Sequence, residues 1–473
     1  MQRRQSKLLY NKKRRLVLRI SLLLGMKGQM NKIRCTLMLL LLTLTTTQGQ
    51  TVADEVRADI RRAAGMHYAL TLTETPHDTP PPAGKRPFYI NHYGCPSPYY
   101  LERPEFYDDP YKTLARADSL GKLTALGRQT LKRVAQLRNE AHDRTNELTE
   151  TGKRQAREQA RQLVRHLPEM FVDSTYVDGR SIVQNHCLLT LGEAVLELSR
   201  AHQPMKLRIN ASHRSLPWMN AQDKELEALR DDKATIDGYN AFAERWAPDD
   251  MQLVAKLFND ADYAHSIDAA ELGRQLFDLA GSTQYTEHAE DQSLFDLFTP
   301  EDLHRHWMRR NAWAFVRYGG YTPNGGKMPY VQRRPLWNVI HQGDSMMMLD
   351  RPVVHLRYTH ETTVMSLICL LELSPSTETA LGPHGYGMRT GNLDSLEARG
   401  WADYRIAPLG GSVVMIHYRS SMNDPDPVVR VLLNGQEARL PIASDIAPYY
   451  HWQDVKRYYL RKLYVYARER HDE

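Results

Sequence analysis

PFYINHYGCPSPYY, residues 87–100, is the stretch from which the fold is read. Phe88, Ile90 and His92 alternate with Tyr89, Asn91 and Tyr93. That two-residue period, rich in aromatic side chains, predicts a strand over Pro87–Tyr93. The run then breaks at Gly94, Cys95, Pro96, Ser97 and Pro98. Two prolines this close cannot continue a hydrogen-bonded ladder, so they mark a turn. Helical periodicity follows over 123–137 and over 152–167, the second preceded by possible caps at Thr149 and Thr151. A strand, a turn and then helices form the opening unit of an open α/β sheet. In such sheets ligands bind beyond the carboxyl ends of the strands. His92, Cys95 and Tyr99 therefore become candidate binding residues.

The same order returns near the other end. PVVHLRY (352–358) reads as a strand and ETTVMSLICLLEL (361–373) as a helix, with Thr359 and His360 between them. His360 and Glu361 thus stand at a helix N-terminus, where free N–H groups and a partial positive charge suit a bound phosphate. A carboxylic acid there can protonate a leaving oxygen, and the imidazole can hold an anionic one. On composition alone, helix capping accounts for the same pair.

Between these ends, 181–199 reads as a helix and 206–209 as a short strand running into NASHR (210–214). Residues 218–320 change texture: they are rich in Asp, Glu, Ala, Leu and Arg. Helical periods appear there over 221–229, 251–257, 269–279 and 300–318. Strands are predicted over 411–418, 428–433 and 437–441, the last two flanking Asn434-Gly435, a strong hairpin signal. A final helix is read over 452–468. The expected architecture is an α/β core, mainly parallel and flanked by helices, over 86–215 and 345–473. A helical cap is inserted at 216–344, and 51–85 reads as an N-terminal arm.

With 473 residues and 42% hydrophobic side chains, the chain can bury a large core. Its net charge of +6 is carried by residues 1–50, which hold eleven Lys and Arg and no acid. The remaining 51 basic and 56 acidic residues give −5, which argues against a nucleic-acid partner. Lys32 and Arg34, the apolar run 35–44 and the small or polar residues 45–50 form the three parts of a secretory signal, with Met30 as the expected start. The apolar run is too short to span a bilayer. Residues 1–50 are therefore expected to be a cleaved leader, and the mature protein periplasmic or secreted.

Of four cysteines, Cys35 falls in the leader, leaving Cys95, Cys187 and Cys369. No C-x-x-C pair occurs, and His304 and His306 lie two apart on a helical stretch, so neither pattern predicts zinc. No metal or cofactor is expected.

The order of these segments resembles the histidine acid phosphatases, in their bacterial branch of phytases and inositol-polyphosphate phosphatases. The matching segments are 87–94, GKLTALG (121–127), LTETG (148–152), 180–189, 356–372 and 428–441. The resemblance implies an α/β core with a helical cap and a phosphorylated small molecule as ligand. It also implies a first strand leading into R-H-G-x-R, whose His is phosphorylated during turnover. A third Arg lies on a later helix, and a His–acid motif lies toward the C-terminus. Only His360 and Glu361 keep the family's residue types. Cys95 stands at the first Arg, Pro96 at the nucleophile, Tyr99 at the second Arg and His186 at the third.

Pro96 has no lone pair with which to attack phosphorus. Tyr99 and Cys95 cannot replace the paired hydrogen bonds of guanidinium forks, and His186 carries charge only when protonated. In this register His360 and Glu361 are the catalytic pair, and His92, Cys95, Tyr99 and His186 line the ligand site. In an oxidising compartment Cys95 and Cys187, expected to be near each other in this fold, can form a disulfide or remain thiols. The expectation is an impaired phosphatase homologue that binds an anionic ligand. Two alternatives stay open: an active enzyme using His92 or direct water attack, and a structural or interaction protein.

Overall fold

The first strand, β1 (Arg86–Gly94), is buried on both faces from Pro87 onward. Its alternation therefore separates two apolar layers rather than a core from solvent. Ile90 joins Leu356, Val414 and Ile416 beneath one helical layer, while Tyr93 joins Val413 and Met415 beneath the other. The computed structural model describes residues 51–72, 79–201, 205–287, 293–376 and 380–472; the leader expected over 1–50 lies outside them.

The main sheet has nine strands. Besides β1 they are β2 (Tyr176–Ser181), β3 (Lys206–Ala211), β4 (Val353–Tyr358), β5 (Ser374–Pro375), β6 (Ser412–Arg419), β7 (Val428–Leu433), β8 (Gln436–Arg439) and β9 (Tyr449–His451). Their order is β3–β2–β4–β1–β6–β7–β8–β5, with β9 also paired to β7. The α/β class holds, and β3, β2, β4 and β1 form the parallel part. From β6 onward the sheet is antiparallel, including the hairpin at Asn434-Gly435.

The helices of the chain include α1 (Glu105–Ser119), α2 (Ala125–Ala141), α3 (Glu150–His166), α4 (Asn185–Ala201), α5 (Pro300–Tyr318), α6 (Arg333–Met346), α7 (Glu361–Leu371) and α8 (Trp452–Asp472). Ala160, Leu191, Val195 and Leu198 of α3 and α4 cover the Ile90 face, and Leu336, Val339, Val364 and Leu367 of α6 and α7 cover the Tyr93 face. Covering both faces is what a parallel sheet needs. Between β3 and α5 the chain is helical, including Lys224–Arg230, Lys233–Arg245, Asp250–Leu257 and Ala269–Ser282. Within 51–85, Val52–Ala58 and Ile60–His67 are helical, and they pack with Val52, Val56 and Ala63 buried. Glu55 there accepts hydrogen bonds from Tyr404 and Arg405 at 2.9 Å.

Elements that differ from the sequence reading include β2, the start of α4, α1, α6 and the helix Lys233–Arg245. A helix read from Ser181 begins at Asn185, and β2 occupies the stretch before it. Asp178-Gly179-Arg180 carries no strand signature. The strand forms because Asp178 pairs with Arg357 of β4 at 2.9 Å and because a bare Gly179 admits Leu191. Helices α1 and α6 escape the sequence reading because each contains a proline, Pro110 and Pro335. Pro335 falls in the first turn, where a missing N–H costs nothing.

One close approach sets the loop after β1. Thr149 caps α3 by accepting from the Gly152 N–H at 3.1 Å. A Cβ on Gly152 would lie 2.0 Å from the Pro98 carbonyl oxygen, which is backbone and cannot rotate away. Gly152→Ala is therefore expected to cost about 1–3 kcal/mol as an overpacking change, read as a lowered urea midpoint. An unchanged midpoint would show that the loop yields freely.

Candidate functional site

The C-terminal ends of β1, β2 and β4 lie side by side, with Tyr358 in register with Gly94 on one side and Ser181 on the other. Three connections leave this edge. Residues 95–101 leave β1, the start of α4 follows β2, and His360-Glu361 opens α7 after β4. A parallel sheet delivers all three to one place, which is why residues over 260 positions apart can touch.

The 95–101 loop is held at several points. Cys95 donates its N–H to Gly411 O at 2.8 Å, and Pro96 O accepts from Gly410 at 2.7 Å. Pro98 O accepts from the Thr149 N–H at 3.1 Å, and Tyr100 exchanges backbone bonds with Glu147 and Asn146 at 3.0 Å each. This clamp aims Tyr99 at α7. The phenol oxygen lies 2.9 Å from Glu102 Oε1 and 3.2 Å from Glu361 Oε1. A phenol has one proton to give, so both contacts are satisfied when Tyr99 donates to Glu102 and a protonated Glu361 donates to Tyr99.

The electrostatics agree. Burial, with Glu102 adding to it, pushes the Glu361 carboxyl up to about 8, against the pull of its backbone and Tyr99 hydrogen bonds. Burial also works to raise Glu102, but His67, its backbone N–H, Tyr99 and His186 together hold it below the usual carboxylate value. Glu361 is thus a neutral acid near pH 7 and Glu102 an anion.

His186, in the first turn of α4, stacks on Tyr99 with ring centroids 4.2 Å apart and planes 14° apart. Its Nδ1 lies 3.0 Å from Asn146 Oδ1. Asn146 donates its amide to Glu102 O at 3.1 Å, which leaves Oδ1 facing the imidazole. The network therefore places the His186 proton on Nδ1 and the lone pair on Nε2. That Nε2 is buried without a partner. Burial, with help from His360, lowers the His186 pKa to about 4, and burial also lowers His360. His360 is the N-cap residue of α7 but makes no side-chain capping bond, so its ring is not spent on the helix. The two rings lie 5.7 Å apart.

Cys95 and Cys187 are buried free thiols, each pushed well above its ordinary pKa by burial and by Glu361. They are therefore poor nucleophiles. His186, Cys187 and His360 bring one nitrogen, one sulfur and one nitrogen within 4.8 Å of one another. Among the described residues, neither lysine nor arginine figures among the charges that shift Glu361, His186 or His360.

The structure thus gathers Cys95, Tyr99, His186, His360 and Glu361. It does not bring His92 to them. His92 shares the Ile90 face of β1 and lines a separate cavity under α3 with Gln159, Leu163 and Tyr358. The sequence reading placed His92 in the ligand site; in the structure its side chain lies on the Ile90 face of the sheet, two residues short of Gly94, in the cavity under α3 and not among the clustered residues. Glu102, Asn146, Cys187 and His67 belong to the neighbourhood and were not singled out as site residues. His67, from the segment before β1, lies 6.3 Å from the Tyr99 ring. Nothing in their local sequence marks them: Glu102 meets Tyr99 three residues away and Asn146 meets His186 40 positions on, contacts that no motif signals.

Beyond His360 opens a cavity of about 200 Å3, lined among others by Arg230, Arg317, Gln332, Thr362, Thr363 and Ser366. His360 alone among the clustered residues also lines it. Arg317 donates to Asp231 at 2.8 Å, and Arg230 is 3.3 Å from the same carboxylate, so two cations share one anion there.

No protein-family profile matches the chain, and no curated protein matches it. Solved structures do. The Bifidobacterium longum multiple inositol polyphosphate phosphatase in complex with inositol hexasulfate is 13% identical with a TM-score of 0.67, over 84% of this chain and 97% of that one. The same enzyme in complex with phosphate gives 14% identity and the same TM-score. The phytase from D. castellii is 13% identical with a TM-score of 0.58, over 85% of each chain. At these identities the likeness is one of fold, and it is the fold of the branch that the motif order resembles.

Proposed function

We propose that this chain is an exported phosphatase-fold protein that has lost covalent phosphoryl transfer and binds a phosphorylated or similarly anionic small molecule beside His360. The observation that carries the reading is the pairing of an inner corner that lacks the nucleophile with an outer cavity that Arg230 and Arg317 line together with Glu227. The inner corner offers Pro96 at the loop, and among the described residues no lysine or arginine figures among the charges that shift Glu361, His186 or His360. Losing the nucleophile of a catalytic unit costs on the order of 10^6 in kcat. The outer cavity retains Arg230, Arg317 and the first turn of α7, which suit an anion. Export is supported by the leader-like residues 1–50, and no helix among the described residues is long and apolar enough to cross a membrane.

Purified mature protein is expected to release phosphate from an aryl phosphate and from phytate no faster than Glu361→Ala, from acid to neutral pH. Inositol hexasulfate, which cannot be hydrolysed as a phosphate ester, is expected to raise the melting temperature, and Arg317→Met to reduce that rise. Release that disappears in Glu361→Ala would show that turnover survives. Absence of a thermal shift at millimolar hexasulfate would remove the anion site.

A further inference from the structure

We infer that His186, Cys187 and His360 form a three-ligand site for a transition metal ion of the zinc class. The three donors come from two elements, the first turn of α4 and the N-cap of α7, and lie within 4.8 Å of one another. A tetrahedral zinc ion with bonds of about 2.0–2.1 Å to nitrogen and about 2.3 Å to sulfur sets donors about 3.3–3.6 Å apart. Closure of the widest separation by about 1.2–1.5 Å therefore completes the triangle.

Packing explains Cys187, a small side chain in an apolar cluster. It does not explain His186. A buried imidazole nitrogen without a hydrogen-bond partner is costly, and Nε2 of His186 is one. Its other nitrogen is held by Asn146 Oδ1 at 3.0 Å. That is the outer-shell arrangement by which a carbonyl fixes the tautomer of a metal-ligating histidine and aims its lone pair. His360 likewise makes no capping bond that would occupy its ring.

The donor types choose the ion. Two imidazoles and a thiolate suit zinc, cobalt or copper and do not suit magnesium or calcium, which take oxygen. Binding requires Cys187 to give up its proton, which leaves to solvent as the metal–sulfur bond forms. Three protein ligands leave one tetrahedral position open. The ion would add two positive charges to a corner where Glu102 is the anion.

This inference stands apart from the anion-binding proposal, because the metal is titrated with no anion present. Chelator-stripped mature protein is titrated with Co2+ alone and then with Zn2+. The expected result is one equivalent of cobalt per chain with a near-ultraviolet thiolate-to-cobalt charge-transfer band, displaced by zinc. The band is expected to vanish in Cys187→Ser and to persist in Cys369→Ser, whose cysteine is a buried residue of α7. Asn146→Ala is expected to weaken cobalt binding 10–100-fold through its hold on His186, without removing the band at saturation. A wild-type protein with no such band, or a band that survives Cys187→Ser, overturns the site. Should Cys187→Ser fail to fold, X-ray absorption of the wild-type zinc form decides: one sulfur among the ligands supports the site, and none overturns it.

Discussion

Asp178→Asn is expected to destabilise the protein by about 3–5 kcal/mol, the cost of breaking a buried ion pair from one side. Asp178 on β2 and Arg357 on β4 are each 2% exposed. Arg357 Nη2 donates to Asp178 Oδ2 at 2.9 Å, and Nη1 donates to the Asp178 and Leu356 carbonyls at 2.5 and 3.0 Å. The side chain of asparagine has nearly the same shape, so the variant removes charge and little else. A guanidinium cannot shed its proton to escape, and it would remain buried with carbonyl partners only. Arg180, half-buried and also 2.9 Å from Asp178, cannot help because it is another cation.

The loss is a large part of a stability that is typically 5–15 kcal/mol, so the urea midpoint is the measurement. The pair ties β2 to β4 just below their C-terminal ends, where α4 and α7 begin. Its loss is therefore expected to loosen His186 against His360 as well. Replacing both partners, Asp178→Leu with Arg357→Met, is expected to recover most of the stability, because apolar residues of similar volume often match a buried pair. A single variant within about 0.5 kcal/mol of wild type, the scale of a surface change, would show that water reaches the pair.

The second large effect is acid sensitivity from His417. Its side chain is 0% exposed, and both ring nitrogens lack partners. It lies against Tyr89 at 5.1 Å, Phe88 at 6.2 Å and Trp452 at 4.6 Å between ring centroids. Burial lowers its pKa from 6.5 to about 3, with Asp344 opposing weakly. Because the folded pKa lies below the unfolded one, the unfolded chain binds more protons between those values. The neutral histidine's contribution is present above pH 6.5 and is lost as pH falls toward 3. The whole shift corresponds to at most about 5 kcal/mol.

His417→Leu removes the titrating group and leaves no broken hydrogen bond. Its stability at pH 7 is expected to match or exceed that of wild type, and its advantage to grow steadily between pH 6.5 and 4. Urea unfolding of both proteins across that range isolates the histidine, because the carboxylates are common to both. Parallel stability profiles would show that His417 finds solvent or a partner on protonation. Three other buried histidines, His355 at about 2 and His92 and His186 at about 4, keep part of the slope in the variant.

Much of the fold is legible in the order of segments, because periodicity survives without tertiary knowledge. β1, β4, β6 and β7 and helices α2, α3, α5, α7 and α8 fall close to where period and capping put them. β2 is not legible, because Asp178-Gly179-Arg180 becomes a strand only once Arg357 is beside it. Likewise α1 is hidden by Pro110, which the packed helix tolerates.

The sequence alone determined that Pro96 cannot attack phosphorus, since no environment gives proline a lone pair. It also determined that His360 and Glu361 stand at a strand-to-helix junction, because strand and helix periods meet there. Tertiary structure alone decided which layer His92 joins. Both faces of a central strand are apolar, so alternation fixes parity but not which helices cover each side. It alone decided that Asn146 would set the proton on His186, because hydrogen bonds between distant segments leave no trace in local pattern. It also built the His186–Cys187–His360 triangle, for which no ligand spacing exists in the chain, by laying parallel strands so that their ends meet.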